Sequence, residues 1–266
     1  MNFFNILTVL VLFAGTVNSQ ELYVFTEPAS NMPAKSIGLR LTNEGQFSPD
    51  FNSRTMPEVM FGINKNLMAH VQGFFSDMDG RYQFEGGSVY AKYRFLSIDD
   101  VKSHFRAAAF ARYSKSNRAA HTEDVNLEGD NSGLQGGLIF TQLIHKLALS
   151  ATFSYAKVLP ERDGNHGFQS DQMLGYSLSS GYLLLPFKYK DYNQPNLNFY
   201  VEVLGKTNPA SGHNYIDLAP AVQVVLNSRT RLDLGYRFEL SGNMENRYFK
   251  NMYLARVEFN FFNVLK

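Results

Sequence analysis

The feature that most constrains this chain is a period-two alternation of apolar and polar side chains, repeated segment after segment with no amphipathic helical stretch of useful length between. Successive side chains of a strand point to opposite faces, so period two is the signature of a β-strand with two different surfaces. In 147–156, Leu147, Leu149, Ala151, Phe153 and Tyr155 share one face, and Ala148, Ser150, Thr152, Ser154 and Ala156 the other. In 231–240, Leu232, Leu234, Tyr236, Phe238 and Leu240 oppose Arg231, Asp233, Gly235, Arg237 and Glu239. In 252–261, Tyr253, Ala255, Val257, Phe259 and Phe261 oppose Met252, Leu254, Arg256, Glu258 and Asn260.

The same pattern predicts about twelve strands. They lie near 36–43, 57–63, 67–76, 85–95, 104–113, 133–143, 147–158, 173–185, 196–206, 214–226, 231–241 and 251–261. The connections alternate in length. Asn64–Asn66, His145–Lys146 and Asn227–Arg229 are tight, and Ser97–Ser103 and Phe187–Pro195 are the longest of the short class. Glu44–Met56, Asp77–Phe84, Ser114–Ser132, Leu159–Gln172, Thr207–His213 and Gly242–Lys250 are long and collect Gly, Asn, Asp, Ser and charge. A soluble sandwich gives no reason for that alternation, and a lipocalin-like barrel has fewer strands. A transmembrane barrel does: short turns at the periplasmic side, long loops outside, an even strand count and strands of about ten residues. The expected fold is therefore all-β, a transmembrane antiparallel up-and-down β-barrel.

Composition agrees. The chain has 23 Phe and 15 Tyr but no Trp, and only 18% charged residues. The rings suit interface girdles, with Tyr93, Phe95, Phe105, Tyr113, Tyr155, Tyr182, Phe199, Tyr236, Phe259 and Phe261 as members. With 25 Lys+Arg against 24 Asp+Glu, no basic excess points to nucleic acid. The absence of cysteine excludes disulfides, thiolate metal sites and a thiol nucleophile.

The N-terminus is the one apolar run that approaches a membrane helix. Phe3–Ala14 is too short to span, and Val17 and Ser19 fit the −3 and −1 positions of a signal-peptidase site. The expected organisation is a signal peptide over 1–19, a periplasmic segment over 20–35 and an outer-membrane barrel over 36–266. The n-region carries no Lys or Arg. The 20–35 segment contains Pro28 and Pro33 and is expected as a tether at the barrel rim, with a plug as the other reading.

Several stretches resemble a family of uncharacterised outer-membrane barrels from Bacteroidetes-type Gram-negative bacteria. They are ELYVFTEPASNMPAKSIGLRLTNE (Glu21–Glu44), MPEVMFGINKNLM (Met56–Met68), YAKYRFLSIDD (Tyr90–Asp100), GDNSGLQGGLI (Gly129–Ile139) and DLAPA (Asp217–Ala221). The chain is also similar to transporter-like, phenol-degradation-type outer-membrane proteins. The resemblance implies the fold and the compartment, with outer-membrane lipid and the barrel-assembly machinery as partners. It supplies no catalytic residue and no solute. One departure is the C-terminus, where Asn263-Val264-Leu265-Lys266 follow Phe262 instead of a terminal aromatic. Recognition by the assembly machinery would then use Phe259–Phe262.

If the apolar face meets lipid, the opposite face lines the lumen. It carries Arg40, Glu58, Lys92, Arg94, Arg106, Arg112, Glu202, Asp217, Arg231, Asp233, Arg237, Glu239, Arg256 and Glu258, together with His70 and Lys206. Two uses compete: a transverse field that sorts passing solutes, or interior ion pairs that hold the wall. Folding 231–241 onto 251–261 is expected to set Arg237 near Arg256. Pro220 falls inside a strand and is expected at a bulge.

Enzymatic constellations are weak. GxSxG, HExxH and a P-loop are absent. Ser211-Gly212-His213 at an outer rim is a polar loop first and a Ser–His pair a distant second. Asp77-Met78-Asp79-Gly80 opens like a calcium loop but lacks the later ligands. No metal or cofactor is expected. The leading expectation is passage of a small solute through a mixed-charge lumen. A closed structural or surface-interaction barrel stands second and a lipid-modifying enzyme third.

Overall fold

The computed structural model describes residues 23–101, 103–118, 122–159, 171–187, 194–247 and 249–265. The expected signal peptide, most of the Leu159–Gln172 connection and part of the Ser114–Ser132 connection lie outside them. The described residues form twelve strands: β1 (Ser36–Gln46), β2 (Asn52–Gly62), β3 (Leu67–Ser76), β4 (Gln83–Asp100), β5 (Ser103–Ser116), β6 (Gly133–Ile144), β7 (Leu147–Val158), β8 (Gln172–Leu185), β9 (Asn196–Thr207), β10 (Asn214–Leu226), β11 (Thr230–Gly242) and β12 (Asn251–Phe261). Each pairs antiparallel with its neighbours in sequence, and β1 closes on β12, so the sheet is a sealed barrel. Closure leaves no unpaired strand edge, which hydrocarbon does not tolerate.

The outward face is apolar. Leu134, Leu138, Phe153, Leu178, Leu232, Leu234 and Leu240 all project outward and are exposed. Tyr93, Phe95, Tyr182, Phe199, Phe259 and Phe261 gather toward the end with the tight turns. Tyr113, Tyr155 and Tyr236 sit toward the other. That is a lipid belt between two aromatic levels.

Four local expectations are corrected. β1 and β2 run on to Gln46 and back to Asn52, so the Glu44–Met56 loop shrinks to 47–51. Side chains at the outer end face water or the mouth, so the ladder continues after the apolar alternation has faded. The Ser97–Ser103 connection is also mostly strand, because β4 and β5 stay paired down to Asp100 and Ser103. Pro220 pairs in register with Val201, and the bulge in β10 falls at Ile216/Asp217 instead. Finally, Arg237 lies opposite Met252, and Arg256 opposite Asp233. β12 begins opposite Phe238 while β11 continues to Gly242 along β10, a stagger that arises from strand tilt.

Candidate functional site: a chamber between the N-terminal segment and an inward loop

The barrel is not empty. The N-terminal segment enters at the tight-turn end, where Met32 packs with Met60 and Met68. It rises to Glu27 and turns back, burying Tyr23, Val24 and Ala29 completely or nearly so. Tyr23 and Val24 join Leu143, Ala148, Tyr200, Ala221 and Leu254 in an apolar cluster inside the wall. The rim-tether expectation is replaced by a plug. The physical reason is polar: the inward face carries charges that a wall alone does not pair, and the segment's main chain supplies partners for them.

The wall holds this segment largely by its backbone. The Glu202 carboxylate accepts from the Val24 and Phe25 N–H groups at 2.9 and 2.8 Å, from the Thr26 hydroxyl at 2.6 Å and from the Ser179 hydroxyl at 3.0 Å. The Lys92 ammonium donates to the Pro28 and Ser30 carbonyls at 2.6 and 2.9 Å. Arg256 donates to the Val24 carbonyl at 2.8 Å, and Arg231 to that of Tyr23. The Ala29 N–H reaches the Thr141 hydroxyl at 2.9 Å, and Arg106 donates to the Ser30 hydroxyl at 2.8 Å.

Above the plug lies a rung of charge. Arg40 stands opposite Glu58 on β2 and Glu258 on β12, and pairs with both at 3.1 and 2.8 Å and with Glu27 of the plug at 2.9 Å. His70 meets the other Glu58 oxygen at 2.6 Å. Arg231 and Arg256 share Asp233 at 2.7 and 3.5 Å.

At the outer end, part of the expected Ser114–Ser132 loop folds into the mouth. Val125 and Leu127 are buried with Ala156, Val158, Met173, Tyr215 and Met244. Asp130 is gripped by Arg54 and by Arg118, the latter at 2.5 Å, and Arg54 and Arg118 also face the buried Glu85. Gly129 makes the approach possible. Its φ is +116°, and a Cβ there would stand 2.7 Å from Arg54 Nε. Glu128 pairs with Arg112, and Asp124 with Lys206 at 2.8 Å. Arg112 holds the Glu128 carboxyl below the usual range against the opposing effect of burial. Burial pushes Asp124 up, but Lys206 together with Arg237 and Arg247 outweighs it and the net shift is down. Nearby, Arg237 and Arg247 both pair with Asp217 at 2.5 Å, and Arg247 also faces Glu239 at 3.5 Å while stacking on the Tyr215 ring at 3.6 Å.

Of the fourteen residues expected to line the lumen, Arg94 sits lowest, donating to the Lys65 carbonyl at the tight-turn rim. The other thirteen meet the plug, the inward loop, the loop after β11 or one another. Between plug and loop remain two adjoining cavities of about 130 and 250 Å³, sharing Glu27, Tyr90, Arg112, Glu128, Lys206 and Arg237. One side is charged. The other, on β6–β8, carries Gln135, Ile139, Thr152, Ser154, Met173 and Ser177. Tyr90 Oη, Arg112 Nε and Ser177 Oγ are buried with no hydrogen-bond partner.

Sequence parity missed Glu27, Asp124, Glu128, Asp130 and Arg118, which lie off the strands. A usable signal was present: Val125 and Leu127 are alternate apolar residues in an otherwise polar loop. His70, His104 and His213 each meet a carboxylate, so the Ser211-Gly212-His213 stretch positions its imidazole on Glu123 at 3.1 Å.

No protein-family model and no curated protein matches the chain. Solved structures do. The COG4313 outer membrane channel from Pseudomonas putida F1 superposes with a TM-score of 0.60 at 11% identity, over 90% of this chain and 100% of that one. The NanC porin superposes with a TM-score of 0.50 at 12% identity, over 84% and 98%. At such identities the likeness is one of fold, and with the lipid belt it makes this chain a membrane-spanning β-barrel built like those outer-membrane channels.

Proposed function

We propose that the protein is a gated channel of a Gram-negative outer membrane, passing a small polar solute through the chamber between its N-terminal segment and its inward loop. The observation that carries this is the chamber itself: two adjoining cavities at mid-barrel, lined by paired charges on one side and by the polar groups of Gln135, Thr152, Ser154 and Ser177 on the other. A wall built only for rigidity packs its interior to close density, and this one leaves polar space between plug and loop. The fold shared with a protein described as an outer membrane channel supports the reading, as does the sequence resemblance to transporter-like barrels. Passage requires the plug to leave, since its backbone crosses the lumen.

The experiment uses the absence of cysteine. Thr26 Oγ1 and Ser179 Oγ are 2.9 Å apart. In a Thr26→Cys, Ser179→Cys variant, a disulfide between plug and β8 should silence the barrel in a planar bilayer, and reductant should restore discrete conductance. A second reading, a closed structural barrel, is favoured by the density of its ion pairs. It predicts silence from the wild type and from the reduced variant alike.

A further inference from the structure

The plug is bound chiefly by its backbone along a path that bends at Val24, Phe25 and Thr26, and the groups that bind it belong to the wall. Glu202, fully buried, presents one carboxylate to two consecutive backbone N–H groups. Lys92, also fully buried, presents its ammonium to the Pro28 and Ser30 carbonyls. Arg256, Arg231 and Thr141 complete the set on Val24, Tyr23 and Ala29. An anion at one end and a cation at the other, with four residues from Phe25 to Pro28 between them, make a frame for a short zwitterionic chain. When the plug withdraws, Arg231 and Arg256 keep Asp233, but Lys92 loses the Pro28 and Ser30 carbonyls and Glu202 is left with the Ser179 hydroxyl, and a buried charge so poorly partnered is strongly unfavourable.

Resting on the channel reading above, we propose that the solute is a short peptide of about four residues, its ammonium on Glu202 and its carboxylate on Lys92, in the place that Phe25–Pro28 occupies at rest. The charge that leaves with the plug bears on the carboxylate end. Glu27 departs with Phe25–Pro28 and takes an anion from Arg40 and Lys92. The carboxylate of the incoming peptide restores an anion on Lys92, and its ammonium meets Glu202. The N-terminal segment is then a resident competitor, and substrate helps to open the path by replacing it.

The test compares tetraalanine with maltose, a neutral solute of similar mass, in liposome-swelling and planar-bilayer assays of a variant lacking residues 20–32. The folded state is checked by its β-sheet circular dichroism. Tetraalanine should enter faster than maltose, and a synthetic peptide of sequence Tyr23–Met32 should block the current. Glu202→Gln in the same background should weaken that block by about tenfold or more, the worth of one charge-assisted hydrogen bond. A folded barrel that conducts nothing would overturn the channel reading, and this inference with it. A conducting barrel that admits both solutes alike and ignores the peptide would overturn only the inference. The full-length chain gives a second readout. A Thr26→Cys variant should react with maleimide faster when tetraalanine is present and no faster with maltose; equal rates would count against the proposal whether or not the shortened barrel folds.

Discussion

Leu234 and Gly235 adjoin in sequence and face opposite worlds. Leu234 is 67% exposed on the lipid side. Gly235 faces inward, where a Cβ would come within 2.6 Å of the Phe25 ring and 3.2 Å of the Ala221 methyl. Leu234→Arg should therefore cost about 2–4 kcal/mol if the residue lies near the midplane, measured by denaturant titration in lipid vesicles. Parity alone makes Gly235→Arg the milder change, since it adds its charge to the lumen. The plug alters that expectation. A side chain at 235 must displace Phe25, so Gly235→Arg should leave the wall's unfolding midpoint close to wild type and raise conductance. A loss of wall stability equal to that of Leu234→Arg would contradict the assignment of faces. At this scale the sequence shows which way a side chain points and not what it meets. Lys92 and Glu202 are inward by alternation, but their partners come from the segment before β1, far away in the chain.

The strands themselves were legible, because lipid on one side and polar groups on the other impose period two along their whole length. The inward loop was not. Gly, Asn, Asp and Ser serve an outward loop and a folded-in one equally well, and only the buried pair Val125 and Leu127 distinguishes them. Its docking is electrostatic, which fixes a pH dependence. Glu128 and Asp124 titrate below their ordinary values because Arg112 and Lys206 stand beside them. A carboxyl whose pKa is lowered on docking favours the docked state above its ordinary pKa, and that contribution is lost as pH falls through the lowered value. Protection of the Glu123 and Asn131 amides, which bond to Asn246 and Asn126, should stay flat from neutrality to the ordinary glutamate value of 4.5 and fall only in stronger acid. Loss of protection near neutrality would show that these pairs do not hold the loop. Asp130→Ala should release the loop at any pH. It strips from the buried Arg54 and Arg118 the partner that links them to the loop and leaves them Glu85 on the wall, and breaking a buried pair costs about 3–5 kcal/mol. Exchange of the β5 and β6 amides should remain slow.

For the whole molecule, strand number, the alternation of connections and a closed barrel were readable, whereas the register of the closing seam was not. The β1–β12 seam joins residues more than two hundred positions apart, and nothing local in either strand announces its partner; an even strand count and the cost of a bare edge in lipid were the available arguments. The seam is set by the rung in which Arg40 faces Glu258. The same asymmetry between the two ends decides orientation. The tight turns at Asn64–Asn66 and Asn227–Arg229 lie beside the point where the N-terminal segment enters and where Val264 and Leu265 donate to the Lys35 carbonyl, so the start of β1 and the end of β12 share one side. Short turns, with the start of the first strand and the end of the last, belong to the periplasmic side of an outer-membrane barrel, and the longer loops to the outside. Asn126 is a poor reporter of this, although it sits in a long loop, because it is folded into the mouth and bonded to Asp130 at 2.6 Å. Phe47, 66% exposed in the connection after β1, is a better one, and Lys65 is its exposed counterpart at the opposite end. On intact cells, a cysteine replacing Phe47 should react with a membrane-impermeant maleimide, and one replacing Lys65 should react only after the outer membrane is permeabilised. The chain has no native cysteine, so the background is silent. The opposite pattern would turn the barrel over. It would put the N-terminal plug at the cell surface, where it would meet solute from outside before the inward loop did.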